Sequence, residues 1–191
     1  MSVYVIRHGE TSWNKDYVIQ GRIDIPLNEK GIEQAKIARE KVKGIPFSLC
    51  YCSPLSRAIE TAKIVCEGRN MEIVIEPRLI EMAYGEYEGV SRSDETYLRQ
   101  RVKVAHRYKG GESYLDVAQR VFNFLDELKG NHIGEDVLLV CHGGLGRLIR
   151  AYFLDEMEND DFFFTILKNA EVERFEFPSR DIKFIEPPRN H

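Results

Sequence analysis

Apolar runs of strand length alternate with segments of helical period along most of this chain. Ser2-Val3-Tyr4-Val5-Ile6-Arg7, Phe47-Ser48-Leu49-Cys50-Tyr51-Cys52, Glu72-Ile73-Val74-Ile75 and Val137-Leu138-Leu139-Val140-Cys141 read as strands. Between and after them, four sets of apolar residues recur at the three-and-four spacing of a helix face. These are Ile32, Ala35, Ala38 and Val42; Leu55, Ala58, Ile59, Ala62 and Val65; Val117, Val121, Phe124, Leu125 and Leu128; and Leu145, Leu148, Ile149, Tyr152 and Phe153. The alternation predicts an α/β fold with a mostly parallel sheet covered by helices on both faces. Local signals place the helix ends. Asn28 is an N-cap, Gly44 a stop, Ser53 an N-cap with Pro54 in the first turn behind it, and Gly111-Glu112-Ser113 the opening of a later helix. The tail alternates like edge strands over Val172 to Phe177 and Ile182 to Ile185, and the prolines at 187 and 188 end regular structure.

The chemistry gathers where strands end. The first strand runs into His8-Gly9-Glu10-Thr11 and the last of the four into His142-Gly143-Gly144. If the two strands lie side by side and parallel, both imidazoles emerge at one sheet edge, where open α/β folds place their ligands. Arg7 precedes the first histidine, and Arg57 falls in the first turn of the helix that follows the second strand, so two guanidiniums converge on that edge beside a helix N-terminus. Each can grip phosphate oxygens through a forked pair of hydrogen bonds that lysine does not reproduce. A neutral imidazole is a competent nucleophile toward phosphorus, and two nearby arginine charges would hold His8 in that neutral form. His142 on the opposite wall would donate to the transferring group. His106, His132 and His191 read instead as hydrogen-bonded core or surface residues.

Composition narrows the setting. The chain has 191 residues, 43% of them hydrophobic and 30% charged, which suits one α/β domain over residues 1–191 with a sizeable core. Lys and Arg number 27 against 31 Asp and Glu, and the net charge of -4 disfavours a general nucleic-acid binder. Any anion site is therefore local. The N-terminal residues enter a strand directly, without the basic, apolar and cleavage regions of a secretory signal, and no apolar run reaches membrane-spanning length, so the expected location is the cytosol. Cys50, Cys52, Cys66 and Cys141 lack the paired spacing of a zinc site and read as buried, reduced thiols.

An ester oxygen leaves poorly unless it is protonated, so a carboxylic acid is expected to face the nucleophile. Glu81 follows a short apolar stretch and precedes the glycine-punctuated loop Tyr84 to Gly89, which makes it the candidate general acid and, later, base toward water. Composition alone does not separate it from Glu86 or Glu88.

Taken in order, Arg7-His8-Gly9-Glu10-Thr11, Asn14, the run Gln20 to Leu27, the run Ser53 to Ala62, the run Glu81 to Gly89 and His142-Gly143-Gly144 resemble the histidine phosphatase superfamily, the cofactor-dependent phosphoglycerate mutase-like proteins. The resemblance spans residue 2 to about residue 150. It implies a three-layer α/β/α sandwich, a phosphohistidine intermediate on His8, and a phosphate pocket of Arg7, Arg57 and His142. It also implies phosphate contacts from Asn14, Gln20, Gly21 and the Gly143 amide, with Glu81 at the proton-donor position. No metal and no cofactor are implied. The expected partner is a small phosphorylated molecule.

Mutases of that superfamily carry a longer, basic insertion after the position of Gly89 and an arginine directly after the acid. Here Met82 stands at that position, and Val90 to Gly110 has room for one modest helix. Hydrolysis of a phosphomonoester is therefore the leading expectation, with a bisphosphate-primed mutase and a non-catalytic phosphoester-binding module as alternatives. A metal hydrolase built on His8 and His142 is poorer, because arginines gather where metal ligands should be. The basic residues Arg99, Arg101, Lys103, Arg107 and Lys109 read as the solvated face of the modest helix rather than an anion-attracting rim. The leaving group and the oligomeric state are not legible.

Overall fold

Each strand-like run that falls within the described residues becomes a strand in the computed structural model, which describes residues 1–132, 134–154, 157–164 and 166–177. They are β1 (Ser2–Arg7), β2 (Phe47–Cys52), β3 (Ile73–Ile75), β4 (Asp136–Cys141) and β5 (Val172–Glu176). The helices among the described residues are α1 (Ser12–Lys15), α2 (Glu29–Val42), α3 (Ser56–Cys66), α4 (Glu95–Gln100), α5 (Tyr114–Asn131), α6 (Gly143–Phe153) and α7 (Asn159–Phe164). The second expected tail strand, Ile182 to Ile185, the prolines at 187 and 188, and His191 lie outside the described residues.

The sheet order is β3-β2-β4-β1-β5. The first four strands in that order run parallel, and β5 pairs antiparallel with β1 at the edge. β4 sits at the centre and shows why its sequence is apolar without interruption. Val137, Leu139 and Cys141 pack on one side with Val117, Val121 and Leu125 of α5 and Leu145 and Ile149 of α6. Leu138 and Val140 pack on the other with Ala38 and Val42 of α2 and Ala58, Ala62 and Val65 of α3. A strand buried on both faces has no solvent side to alternate with. The result is a mixed α/β sandwich of helix layers on a mostly parallel sheet.

Caps follow the sequence in two places and depart from it in one. Asn28 accepts the Gly31 amide at the start of α2, and Ser113 forms a reciprocal capping box with Asp116 at the start of α5. Ser53, by contrast, does not cap α3. That helix begins at Ser56 behind Leu55, so Pro54 precedes its first turn, because the Ser53 hydroxyl is engaged elsewhere. Arg57 still falls in the first turn. The segment after Gly89 holds only α4, which ends at Gln100, so most of the basic cluster lies beyond any helix. No helix among the described residues is long and apolar enough to cross a membrane.

Candidate active site

Because β1 and β4 are adjacent and parallel, with Arg7 in register with Cys141, the residues that follow them leave the sheet together. The His8 and His142 rings lie with centroids 5.1 Å apart at 57°. His8 Nδ1 is 2.7 Å from the Gly9 carbonyl oxygen, which only accepts, so this nitrogen carries the hydrogen. The neutral ring then presents a lone pair at Nε2. Burial above all, then the Arg7 and Arg57 charges, hold the imidazole well below its ordinary value.

His142 is fixed from the other side. Its Nε2 lies 2.6 Å from Ser53 Oγ, and that oxygen already accepts the Leu55 amide at 3.3 Å. His142 Nε2 is the one acceptor within reach of the Ser53 hydroxyl among the described residues, so the hydroxyl donates its proton there, leaving hydrogen on Nδ1, which is buried and without a partner among the described residues. Burial, followed by Arg57 and His8, holds this ring well below its ordinary value too.

The cationic residues are anchored by carbonyls. Arg7 Nη1 donates to Leu167 O at 2.7 Å, while Arg57 donates to Ile23 O at 2.9 Å and Gly21 O at 2.8 Å; the Nε of each has no partner among the described residues. Burial lowers both guanidiniums, Arg7 to about 10 with Arg92 next in effect. Asn14 Oδ1 accepts the Thr11 amide at 3.2 Å, which fixes the amide orientation, and its buried Nδ2 is likewise unpartnered. Gln20 and Gly21 also line the cavity, although the Gln20 side chain accepts from the Thr11 hydroxyl and the Gly21 carbonyl is taken by Arg57. Gly143 opens α6 against Arg7, where a Cβ would stand 2.5 Å from the Ile166 side chain.

Glu81 is 8% exposed. Its Oε1 accepts the Met82 amide at 2.8 Å and its Oε2 accepts the Gly144 amide at 3.1 Å, so its own loop and the start of α6 hold one carboxyl between them. The structure separates it from its neighbours. Glu86 is exposed, Glu88 ties the loop by accepting the Tyr84 and Arg22 amides, and of the three only Glu81 lines the cavity.

Arg7, His8, Asn14, Gln20, Gly21, Arg57, Glu81 and Gly143 line a cavity of about 290 Å³, whereas His142, fully buried, packs against His8 without lining it. Arg92, Arg147, Tyr84 and Tyr97 line it as well, and sequence reasoning missed them. A signal existed for Arg147, a charged residue flanked by Leu145 and Leu148 on a buried helix face; Arg92 gave none. Within the basic cluster the expectation needs correction at one residue. Arg101 lines the cavity, held by the Phe163 carbonyl and stacked 5.1 Å from the Phe164 ring centroid. Arg99 pairs with Glu95 and Arg107 with Asp116, while Lys103 and Lys109 are exposed. His132 meets the Tyr51 hydroxyl at 2.9 Å, His106 packs edge-on against Tyr108, and all four cysteines are buried free thiols. Among the described residues no group of three or more His, Cys, Asp or Glu is arranged to hold a metal.

One end of the sheet thus gathers two facing imidazoles, two carbonyl-anchored guanidiniums and one amide-held carboxyl in an α/β protein. The chain belongs to the histidine phosphatase superfamily (branch 1), whose family model matches residues 3–186. It is 34% identical to phosphoserine phosphatase 1 of Hydrogenobacter thermophilus over 149 residues, 74% of this chain and 71% of that protein. It is 35% identical over 157 residues, 78% of this chain and 73% of the relative, to the probable phosphoglycerate mutase GpmB of Cronobacter sakazakii. Among solved structures it is similar to the α-ribazole phosphatase of Shigella flexneri, with a TM-score of 0.82, 28% identity and coverage of 94% of this chain and 92% of that one. It is also similar to a mycobacterial glucosyl-3-phosphoglycerate phosphatase, with a TM-score of 0.80, 27% identity and coverage of 91% and 88%.

Proposed function

We propose that this protein hydrolyses a small organic phosphomonoester through a phosphohistidine on His8. The observation that carries the reading is the tautomer of His8. Its Gly9 bond leaves the Nε2 lone pair free in a cradle whose unpartnered donors are Arg7, Arg57, Asn14 and His142 Nδ1. Nε2 attacks phosphorus, the N–P bond forms as the P–O ester bond breaks, and Glu81 delivers its proton to the departing oxygen. Each Glu81 oxygen keeps a further lone pair beside its amide bond, so one can carry that proton while still accepting. Water then attacks the phosphohistidine, Glu81 takes its proton, and orthophosphate leaves. The guanidiniums and the His142 N–H stabilise charge on the equatorial oxygens, where most of the rate enhancement in phosphoryl transfer resides. Three relatives or structural neighbours are named as phosphatases, which supports hydrolysis.

The test is hydrolysis of p-nitrophenyl phosphate, with and without chelator, by the protein and by His8→Ala. We expect chelator-insensitive turnover that the substitution abolishes, and an acid-labile, alkali-stable phosphoryl label in quenched protein. Activity that survives in His8→Ala removes the assigned nucleophile. A mutase is the second reading, favoured by the three further arginines in the cavity and by the relative named as a probable mutase. It would pass the phosphoryl group to a second hydroxyl faster than it releases orthophosphate. Tight binding of phosphoesters with no turnover would mark a binding module instead.

A further inference from the structure

Phosphate binding and proton transfer leave one buried cation of the cavity unused. Arg147, on the second turn of α6, is 7% exposed. Its Nη1 donates to the Tyr114 hydroxyl at 2.9 Å, its Nε is buried with no partner, and it forms no ion pair among the described residues. Arg92 and Arg101 line the same cavity, each bonded to a backbone carbonyl and neither paired with a carboxylate among the described residues. Glu81 is neutral while it holds the proton it delivers, so a phosphoryl dianion and Asp24, 4.0 Å from Arg57, together offset three of the five guanidinium charges that line the cavity. Burying a charge without a counter-charge is costly, so a cavity built with this surplus is complementary to further negative charge.

We infer that the leaving-group side of the cavity is a second anion site centred on Arg147, and that the substrate is a small phosphomonoester whose alcohol carries an anionic group of its own. The inference rests on the hydrolase reading and deepens it by naming the substrate class. A guanidinium fork accommodates a carboxylate or a second phosphate equally well. The tyrosines beside it, Tyr84 and Tyr97, line the cavity and add hydroxyl donors for either oxyanion. Arg101 closes the roof, tied at one end to the Phe163 carbonyl and flat against Phe164, so it contributes charge from a fixed place.

Two matched pairs of compounds test this in the full chain. Phosphoglycerate and glycerol phosphate share a skeleton and differ by a carboxylate against a hydroxymethyl group; propanediol bisphosphate and propanediol monophosphate differ by a second phosphate. We expect kcat/KM to favour the anionic member of one pair by roughly 10- to 100-fold, the worth of one hydrogen bond to a charged group, and the pair that responds identifies the anion. Arg147→Met should bring that ratio to within about threefold of unity, and Arg147→Lys, which keeps the charge and loses the fork, should leave part of it. Ratios near one for both pairs in the unaltered protein overturn the inference, as does an undiminished ratio in folded Arg147→Met. Absence of p-nitrophenyl phosphate hydrolysis would remove the hydrolase reading alone; the anion site is then judged by the affinity ratio of the same pairs in calorimetry, by the same criteria.

Discussion

Which nitrogen of His142 carries the hydrogen is decided by a serine three residues before the third helix. Ser53 is fully buried, accepts one backbone amide and gives its only proton to Nε2, so the imidazole arrives with its N–H already aimed away from the protein's own acceptors. Ser53→Ala removes that donor without touching the space where phosphate binds. The ring is then free to place its hydrogen on either nitrogen, and part of the population loses the stabilising donor. We expect kcat to fall about tenfold with KM changed less than about twofold, because the lost interaction strengthens in the transition state. Steady-state kinetics on p-nitrophenyl phosphate checks this, and an unaltered kcat would show that the serine only packs. The substitution also leaves a buried acceptor unsatisfied, which costs about 1–3 kcal/mol in the folded state.

At the scale of elements, the start of α6 does two jobs with two glycines. A Cβ on Gly144 would lie 2.5 Å from Glu81 Oε1, and the same residue's amide holds Oε2. Gly144→Ala therefore displaces the carboxyl from its seat while improving helix propensity by up to about 1 kcal/mol. The expected signature is selective. Hydrolysis of an alkyl phosphate should drop by about 10²-fold, and hydrolysis of p-nitrophenyl phosphate, whose leaving group needs little protonation, by much less. Equal losses on both substrates would argue that Glu81 does not donate the proton. The elements themselves were legible because β1, β2 and β4 are buried on both faces or end in chemistry-bearing residues, and because α2, α3, α5 and α6 show only one apolar stripe each. Ser53 misled for a local reason. Ser-Pro before an apolar run is the usual mark of a helix start, and nothing within the segment reveals that a histidine 89 residues away competes for the hydroxyl. Arg101 misled for a similar one: α4 stops at Gln100, so a periodic reading of the basic cluster continues a helix that has already ended.

For the whole molecule, the two buried imidazoles set how stability depends on pH. An unfolded histidine titrates near 6.5, and both rings are held well below that in the folded protein, chiefly by burial. Between those values the unfolded chain binds protons that the folded chain does not, so stability falls as the pH drops below about 6.5 and is indifferent to these groups above it. The expected slope is about 1.4 kcal/mol per pH unit for each ring. Carboxylates with lowered values, such as Asp116 beside the Ser113 cap, add their own loss only near and below pH 4. Melting temperatures at pH 7, 6 and 5 should decline in the unaltered protein and decline less in His8→Asn; parallel curves would mean that His8 is already charged in the fold. The floor of the site could be read from the chain because strand ends announce it. The roof could not, since Arg92, Arg101 and Phe164 reach the cavity from irregular segments and a short distant helix whose packing no local pattern encodes.

The carbonyl anchors on Arg7 and Arg57 have one more effect. A hydrolase that holds its cations rigidly toward a phosphoryl group offers the same welcome to the orthophosphate it has just made, since the product carries the oxygens and charge that the cradle was shaped to receive. Such an enzyme would slow as its own product accumulates, and its output in a cell would track the free phosphate level as well as the supply of ester.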